Sequence, residues 1–301
     1  MSKRVVYGFL LFSIALGGLI AGGAIWALTL GAACYIGGSE FITMTQAKGM
    51  KPSPRIIRNM IAAFFALAAL PHFPIKGFHV PIDFPIQHFP ILLTIGICLS
   101  FFRLLLRSEN PPATIADIAT TILGFIYVGW LPSHLILLRD LAPPGAAILQ
   151  NPLQQPGLAY VWASLFVIWS TDVFAYYAGK KFGKTLLYPQ VSPKKTVEGA
   201  FGGLIASIFM ALLVVWCADN YVFPNAPFQH KLWQAPLLGF FVSIGAQLGD
   251  LCESLLKRDA GMKDSGDLIP GHGGMLDRGD GLIFGGAISY YWICIVVLGI
   301  L

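Results

Sequence analysis

GAFGGLIASIFMALLVVWCA, residues 199–218, contains no charged side chain. As a helix rising 1.5 Å per residue it is about 30 Å long, the thickness of the hydrocarbon core of a bilayer. Comparable apolar runs lie near 5–21, 23–45, 56–72, 88–106, 113–138, 158–179, 232–255 and 281–301. A membrane barrel would show short alternating segments instead, and none of these runs alternates. The composition agrees: 56% of residues are hydrophobic and 12% charged, against about a quarter charged in soluble domains. The expected fold class is therefore all-α, a polytopic integral membrane helix bundle with about nine transmembrane helices. The first two spans are the least separate pair, because Gly17, Gly18, Gly22 and Gly23 leave almost no loop. Lys3–Arg4 before an apolar run is also compatible with a signal peptide, but no clear small-x-small site leads into a soluble domain.

Basic residues orient these spans. Placed in strict alternation, one side receives Lys3, Arg4, Lys48, Lys51, Arg55, Arg58, Arg103, Arg107, Lys180, Lys181, Lys184, Lys194, Lys195, Lys257, Arg258, Lys263 and Arg278. The other receives only Lys76, Arg139 and Lys231. Positive charge accumulates on the cytoplasmic side of membrane proteins, so the N-terminus is expected in the cytoplasm and the C-terminus outside. The net charge of +5 then reflects topology and anionic headgroups, not nucleic acid. The cysteines Cys34, Cys98, Cys217, Cys252 and Cys294 are scattered without a CxxC pair, which argues against a disulfide framework or a zinc site.

Residues 1–157 read as N-terminal transmembrane scaffold helices, and 158–301 as a transmembrane catalytic half with cytoplasmic polar loops. Ionisable groups concentrate in the second half. SLLKRDAGMKDSGDLIPGHGGMLDRGD, residues 254–280, packs carboxylates and cations between glycines. Carboxylates hold Mg²⁺, cations and backbone N–H groups hold phosphate oxygens, and glycine lets the backbone approach closely. Asp250, Asp277 and Asp280 are candidate metal ligands. Asp250, Glu253, Ser254 and Lys257 share one helical face leading into this loop. His272, between glycines, reads as a general base, a phosphate donor or simply a loop residue. Upstream, Ser192, Lys194, Lys195 and Thr196, followed by Glu198 and Gly199, suit a polyphosphate at a helix start, although the block is not a Walker A sequence. The loop lysines at 180, 181 and 184 read equally as ordinary positive-inside residues. Asp117, Asp172 and Asp250 are acids at membrane depth or edge, where an ionisable group normally faces a partner or a watery cavity. Trp130, His134 and Arg139 read as interfacial anchors. His72, His79 and His88 read as polar loop residues near an interface rather than as a metal site.

The pattern S-L-L-K-R-x4-K-D-S-G-x2-I-P-G-H-G-G-M-x-D-R-G-D, from Ser254 to Asp280, closely resembles that of the phosphatidate cytidylyltransferases. Gln247-x-Gly249-Asp250-x2-Glu253-Ser254, Ser192-Pro193-Lys194-Lys195-Thr196-x-Glu198-Gly199, and Asp172-x-Phe174-Ala175-Tyr176 with Gly179-Lys180 are similar to that family as well. The resemblance covers residues 160–281. One departure is Gly279, where the family usually carries an apolar residue or threonine, a difference of packing rather than of chemistry.

The resemblance implies transfer of CMP from CTP to phosphatidic acid, giving CDP-diacylglycerol and pyrophosphate, with Mg²⁺ and a second cation such as K⁺. It implies metal ligation by Asp250 and Asp277, with Asp280 a further ligand or a supporting group. Lys257, Arg258, Lys263 and Arg278 are placed to neutralise phosphates, with Asp264 and His272 in the same catalytic set. Ser192, Lys194, Lys195 and Thr196 are assigned to CTP, and Asp172 to a supporting polar contact. Expected partners are phosphatidic acid, CTP and the bilayer, without nucleic acid, and a homodimer is one expected assembly. The expected location is a bacterial inner (plasma) membrane or an organellar membrane, with the site facing the cytoplasm. The nearest rival is a CTP-dependent polyprenol or phytol kinase, which releases CDP. A transporter would show broken helices in repeated halves, and none is seen; the DGxxAR motif of CDP-alcohol phosphotransferases is missing.

Overall fold

The computed structural model describes residues 3–73, 80–107, 112–143, 151–223, 225–267 and 273–300. The helices are α1 (Lys3–Ala21), α2 (Gly23–Ala47), α3 (Pro54–Ala69), α4 (Phe84–Leu105), α5 (Ile115–Phe125), α6 (Leu131–Asp140), α7 (Pro156–Phe182), α8 (Val197–Cys217), α9 (Gln234–Asp259) and α10 (Asp280–Trp292). A π-helical turn at Ile126–Trp130 joins α5 to α6 into one span, and π-helical ends extend α8 and α10. Among the described residues, eight such segments are long and apolar enough to cross a membrane, and Gly8–Ala21 within α1 is a shorter apolar helix. The all-α, polytopic expectation of about nine helices holds.

Among the described residues, the one sheet is a small antiparallel hairpin, β1 (Leu186–Tyr188) with β2 (Ser192–Thr196). The Ser192–Thr196 block therefore lies mainly on a strand and not, as its sequence suggested, at a helix start. Only Thr196 reaches that position: it is the N-cap of α8, and its hydroxyl accepts from the Gly199 N–H at 3.1 Å. The local reason is that Pro193 and the β-branched Thr196 favour extended backbone before the glycine-rich helix begins.

The chain forms two compact units, Met1–Leu137 with Leu256–Gly279, and Leu138–Leu255 with Asp280–Leu301. In the first unit, α2 packs on α3 and α5 around Phe41, Ile57, Ile61, Phe64 and Phe125, all buried. Gly31, Gly38 and Gly124 lie where a Cβ would strike these side chains or Phe65. In the second unit α7 and α8 run in close contact. A Cβ on Gly203 would sit 2.6 Å from the Thr171 carbonyl, and one on Gly199 2.7 Å from the Ala175 carbonyl. This is small-xxx-small packing, which lets membrane helices approach to backbone contact. It recurs where Gly249 meets the Asp280 carbonyl and Gly285 meets Ile168.

Three polar groups marked out by the sequence are held by neighbouring parts of the chain. Asp117 closes a capping box with Thr114 at the start of α5 and accepts from the Lys51 N–H at 2.5 Å. His134 and Arg139, expected as interfacial anchors, are instead fully buried. The Arg139 guanidinium donates to the Gln155 side chain and the Pro152 carbonyl, satisfying polar groups just before α7.

Candidate active site

In the first unit the polar stretch after α9 is built around Asp277, which stands in a short 3₁₀ turn, Leu276–Arg278. Its Oδ2 accepts three hydrogen bonds, from the Ser265 N–H at 2.8 Å, the Ser265 hydroxyl at 3.0 Å and the Gly274 N–H at 2.8 Å. Its Oδ1 receives the Lys257 ammonium at 2.6 Å, and both side chains of this pair are nearly buried. Gly273 has φ +81, a conformation open to glycine, and a Cβ there would strike Asp277 Oδ2. Burial pushes the Asp277 carboxyl up, but the Lys257 hydrogen bond, the Gly274 and Ser265 N–H groups and the Lys257 charge outweigh it and hold it below its ordinary value.

Glu40, on α2, faces the same stretch. Its Oε1 accepts from the Met275 N–H at 2.7 Å, and its Oε2 from the Leu276 N–H at 2.9 Å and the Ser265 hydroxyl at 2.8 Å. The sequence reading passed over Glu40. It is an acid inside an apolar span, so the rule that flagged Asp117 and Asp172 would have found it too. Ser265 was likewise quoted in the motif without being given a role.

The other residues of this stretch are more open. Arg258 closes the end of α9 by donating to the Met262 carbonyl at 2.9 Å, and Lys48 pairs with Asp259 at 2.9 Å. Lys263, Asp264 and Arg278 are exposed. His272 lies outside the described residues, as does His79. Gly279 has nothing within 4 Å of where a Cβ would stand and a φ of −120, so the departure from the family pattern is locally neutral.

In the second unit the hairpin brings β2 to α9, where the Lys195 ammonium pairs with Asp250 Oδ2. The other Asp250 oxygen lies 3.5 Å from the Ser254 hydroxyl. Asp172, about two-thirds of the way along α7, is close enough for its charge to act with those of Asp250 and Lys195. Glu198 fastens the hairpin by accepting from the Lys184 and Thr185 N–H groups. Gln247 donates to the Ala200 carbonyl and to Ser243, whose hydroxyl also accepts from Thr171. Lys194 is exposed and Ser192 half-buried. Asp280 opens α10 and accepts from the Gly281 N–H at 2.7 Å.

Each unit thus holds a carboxylate, Asp277 or Asp250, with one oxygen on a lysine ammonium. Among the described residues no three His, Cys, Asp or Glu side chains converge as a complete protein metal cage would. Mg²⁺ does not need one: it is ordinarily held by one or two carboxylates, water and substrate phosphates. The hard oxygen donors present, each neutralised by a monovalent cation that a divalent ion can replace, fit that mode.

A model of the cytidylyltransferase family matches residues 2–296. The chain belongs to that family. It is 34% identical to a phosphatidate cytidylyltransferase of Synechocystis sp., over 98% of this chain and 97% of that protein. It is 34% identical to the chloroplastic phosphatidate cytidylyltransferase 4 of Arabidopsis thaliana, over 97% of this chain and 73% of that one. A Bacillus subtilis phosphatidate cytidylyltransferase is 37% identical over 60% of each chain. The cytidylyltransferase resemblance carried by Ser254–Asp280 and its neighbours in sequence therefore extends over nearly the whole chain.

Proposed function

We propose that this membrane protein transfers the cytidylyl group of CTP to phosphatidic acid, giving CDP-diacylglycerol and pyrophosphate for phospholipid synthesis. The observation that carries the reading is the full-length relationship to proteins named for this activity. An oxygen of the lipid phosphate attacks the α-phosphorus of CTP. The new P–O bond forms as the bond from the α-phosphorus to the bridging oxygen breaks, and pyrophosphate leaves with that electron pair. Two anions must meet for this to happen, so the protein has to supply positive charge and in-line positioning.

Lys257 and Lys195 are the cations already held against carboxylates, and each exchanges its carboxylate for a phosphate oxygen when substrate binds. Asp277 and Asp250, relieved of their lysines, are the candidate Mg²⁺ ligands, with Asp280 a further candidate. Bound Mg²⁺, with a second cation such as K⁺, supplies charge neutralisation of the phosphates. Ser192, Lys194, Lys195 and Thr196 on the hairpin are assigned to CTP, Asp172 to a supporting contact, and Arg258, Lys263, Asp264, His272 and Arg278 to the phosphates and the catalytic loop. Residues 1–157 serve as scaffold and 158–301 as the catalytic half. The motif-bearing loops face the cytoplasm, where CTP is found, in a bacterial inner or an organellar membrane.

The test supplies purified full-length protein with CTP, phosphatidic acid and Mg²⁺, beside Asp277→Asn. Wild type should form pyrophosphate and lipid-linked cytidine, and Asp277→Asn should lose about 100-fold or more, the scale of removing one electrostatic group from such a site. CDP release from a lipid alcohol, with no pyrophosphate, would make the protein a lipid kinase instead. Equal activity in both proteins would remove Asp277 from the mechanism.

A further inference from the structure

We infer that Glu40 is a positioning residue for the transfer, holding Ser265 and Gly274–Leu276 so that Asp277 is aimed for catalysis. The inference rests on the reading above, in which Asp277 belongs to the site. Glu40 is 8% exposed and lies in an apolar span. A carboxylate persists there only when its oxygens are matched by donors. Three donors match it, and all come from the polar stretch: the Met275 and Leu276 N–H groups and the Ser265 hydroxyl.

The same short pieces of chain hold Asp277. Gly274 and Ser265 give their N–H groups to Asp277, while the next two residues, Met275 and Leu276, give theirs to Glu40. The Ser265 hydroxyl lies between the carboxylates, 2.8 Å from Glu40 Oε2 and 3.0 Å from Asp277 Oδ2. A hydroxyl has one hydrogen, so the two acids share it, and a change at either is felt at the other. The backbone is shaped to Glu40 as well. A Cβ on Gly274 would stand 2.5 Å from Glu40 Oε2 and closer still to the Ser265 hydroxyl oxygen, so that position depends on having no side chain, and one on Gly266 would meet Oε1 in a tight contact at 3.0 Å. The reach of Glu40 into the chemistry runs through Ser265 and the 274–276 backbone.

Glu40→Gln keeps the volume but leaves one accepting oxygen and turns an NH₂ toward N–H donors. Steady-state pyrophosphate release should show kcat down by about 10–100-fold, the range for residues that orient a metal or catalytic ligand. KM for CTP and for phosphatidic acid should stay within about 3-fold, since substrate contacts are not removed. In the Asp277→Asn background, Glu40→Gln should cost no more than about 2-fold further, because residues acting through one group are not additive. Wild-type kcat in Glu40→Gln, or losses that multiply with those of Asp277→Asn, would overturn the inference. Should Glu40→Gln fail to fold, Ser265→Ala decides. It removes only the shared hydroxyl, and its kcat must fall with the melting temperature preserved, whereas wild-type kcat in Ser265→Ala would sink the proposal. Absence of product from well-folded wild type is a different result: it removes the functional reading on which the role of Glu40 stands.

Discussion

Lys257 and Asp277 are each about one-tenth exposed, and such a pair behaves asymmetrically. Removing one member strands a buried charge, at about 3–5 kcal/mol, whereas removing both costs much less. Lys257→Met should therefore unfold markedly earlier in a thermal melt followed by tryptophan fluorescence. Lys257→Met combined with Asp277→Asn, which keeps an amide oxygen for the Ser265 and Gly274 donors, should recover much of that stability while remaining inactive. A double variant as unstable as the single one would mean that the stability is lost with the lysine's own contacts and not through a stranded carboxylate. The same carboxyl makes a pH prediction. Its folded value lies below the unfolded one, near 3.9, so its contribution to stability is fully present above that unfolded value. It is lost as pH falls through the folded value. The gap in melting temperature between wild type and Asp277→Asn should stay constant from about pH 5 to 8 and narrow below about pH 4. At this scale the sequence was readable where chemistry and spacing coincide, as at Asp277 and Lys257. It misled where burial decides: a motif-free Glu40 became the organiser of the polar stretch, while His134 and Arg139 turned out to be interior.

Among elements, the second unit depends on glycines spaced four apart, Gly199 with Gly203, Gly245 with Gly249, and Gly281 with Gly285. They let α7 meet α8, and α9 meet α10, at backbone distance, which is how Thr171, Ser243 and Gln247 come within hydrogen-bonding reach of one another and of α8. Gly203→Leu would press a side chain onto the Thr171 carbonyl, an obstacle of backbone that cannot step aside. Overpacking of this kind costs about 1–3 kcal/mol or more, and it should lower the melting temperature together with kcat. Gly279→Thr is the contrast, since its surroundings are open and its φ is ordinary for any residue. That variant should retain wild-type stability and activity in the same assays, and a large loss would show that Gly279 is required for more than space. These glycine pairs were visible in the sequence as GxxxG spacings but meant little before partner helices were known. The β1–β2 hairpin was less visible still. Eight residues of strand between two long helices leave almost no periodic signal, and Lys194–Lys195 reads as a basic loop until β2 carries Lys195 to Asp250.

For the whole molecule, hydropathy was the legible quantity: the apolar runs match the observed membrane-length helices to within a few residues, because a bilayer sets helix length almost independently of packing. Packing partners were not legible, since lipid-facing and helix-facing residues are equally apolar. Orientation rests on charge, with seventeen basic residues assigned to one side and three to the other, and it makes a prediction separable from catalysis. All five cysteines are free, so they can be replaced and single cysteines introduced at Lys184 in the turn before β1, at Met262 after α9, and at Gln229 between α8 and α9. Applied to intact cells, a membrane-impermeant maleimide should label Gln229→Cys and spare the other two. In inside-out vesicles the pattern should invert. Labelling of Lys184→Cys from outside would place the hairpin lysines away from cytoplasmic CTP, and the charge-based orientation would then have to be abandoned. Labelling of Gln229→Cys alone would put the Lys195–Asp250 hairpin and the Lys257–Asp277 turn on the nucleotide side of the membrane, the condition both must meet to serve one reaction.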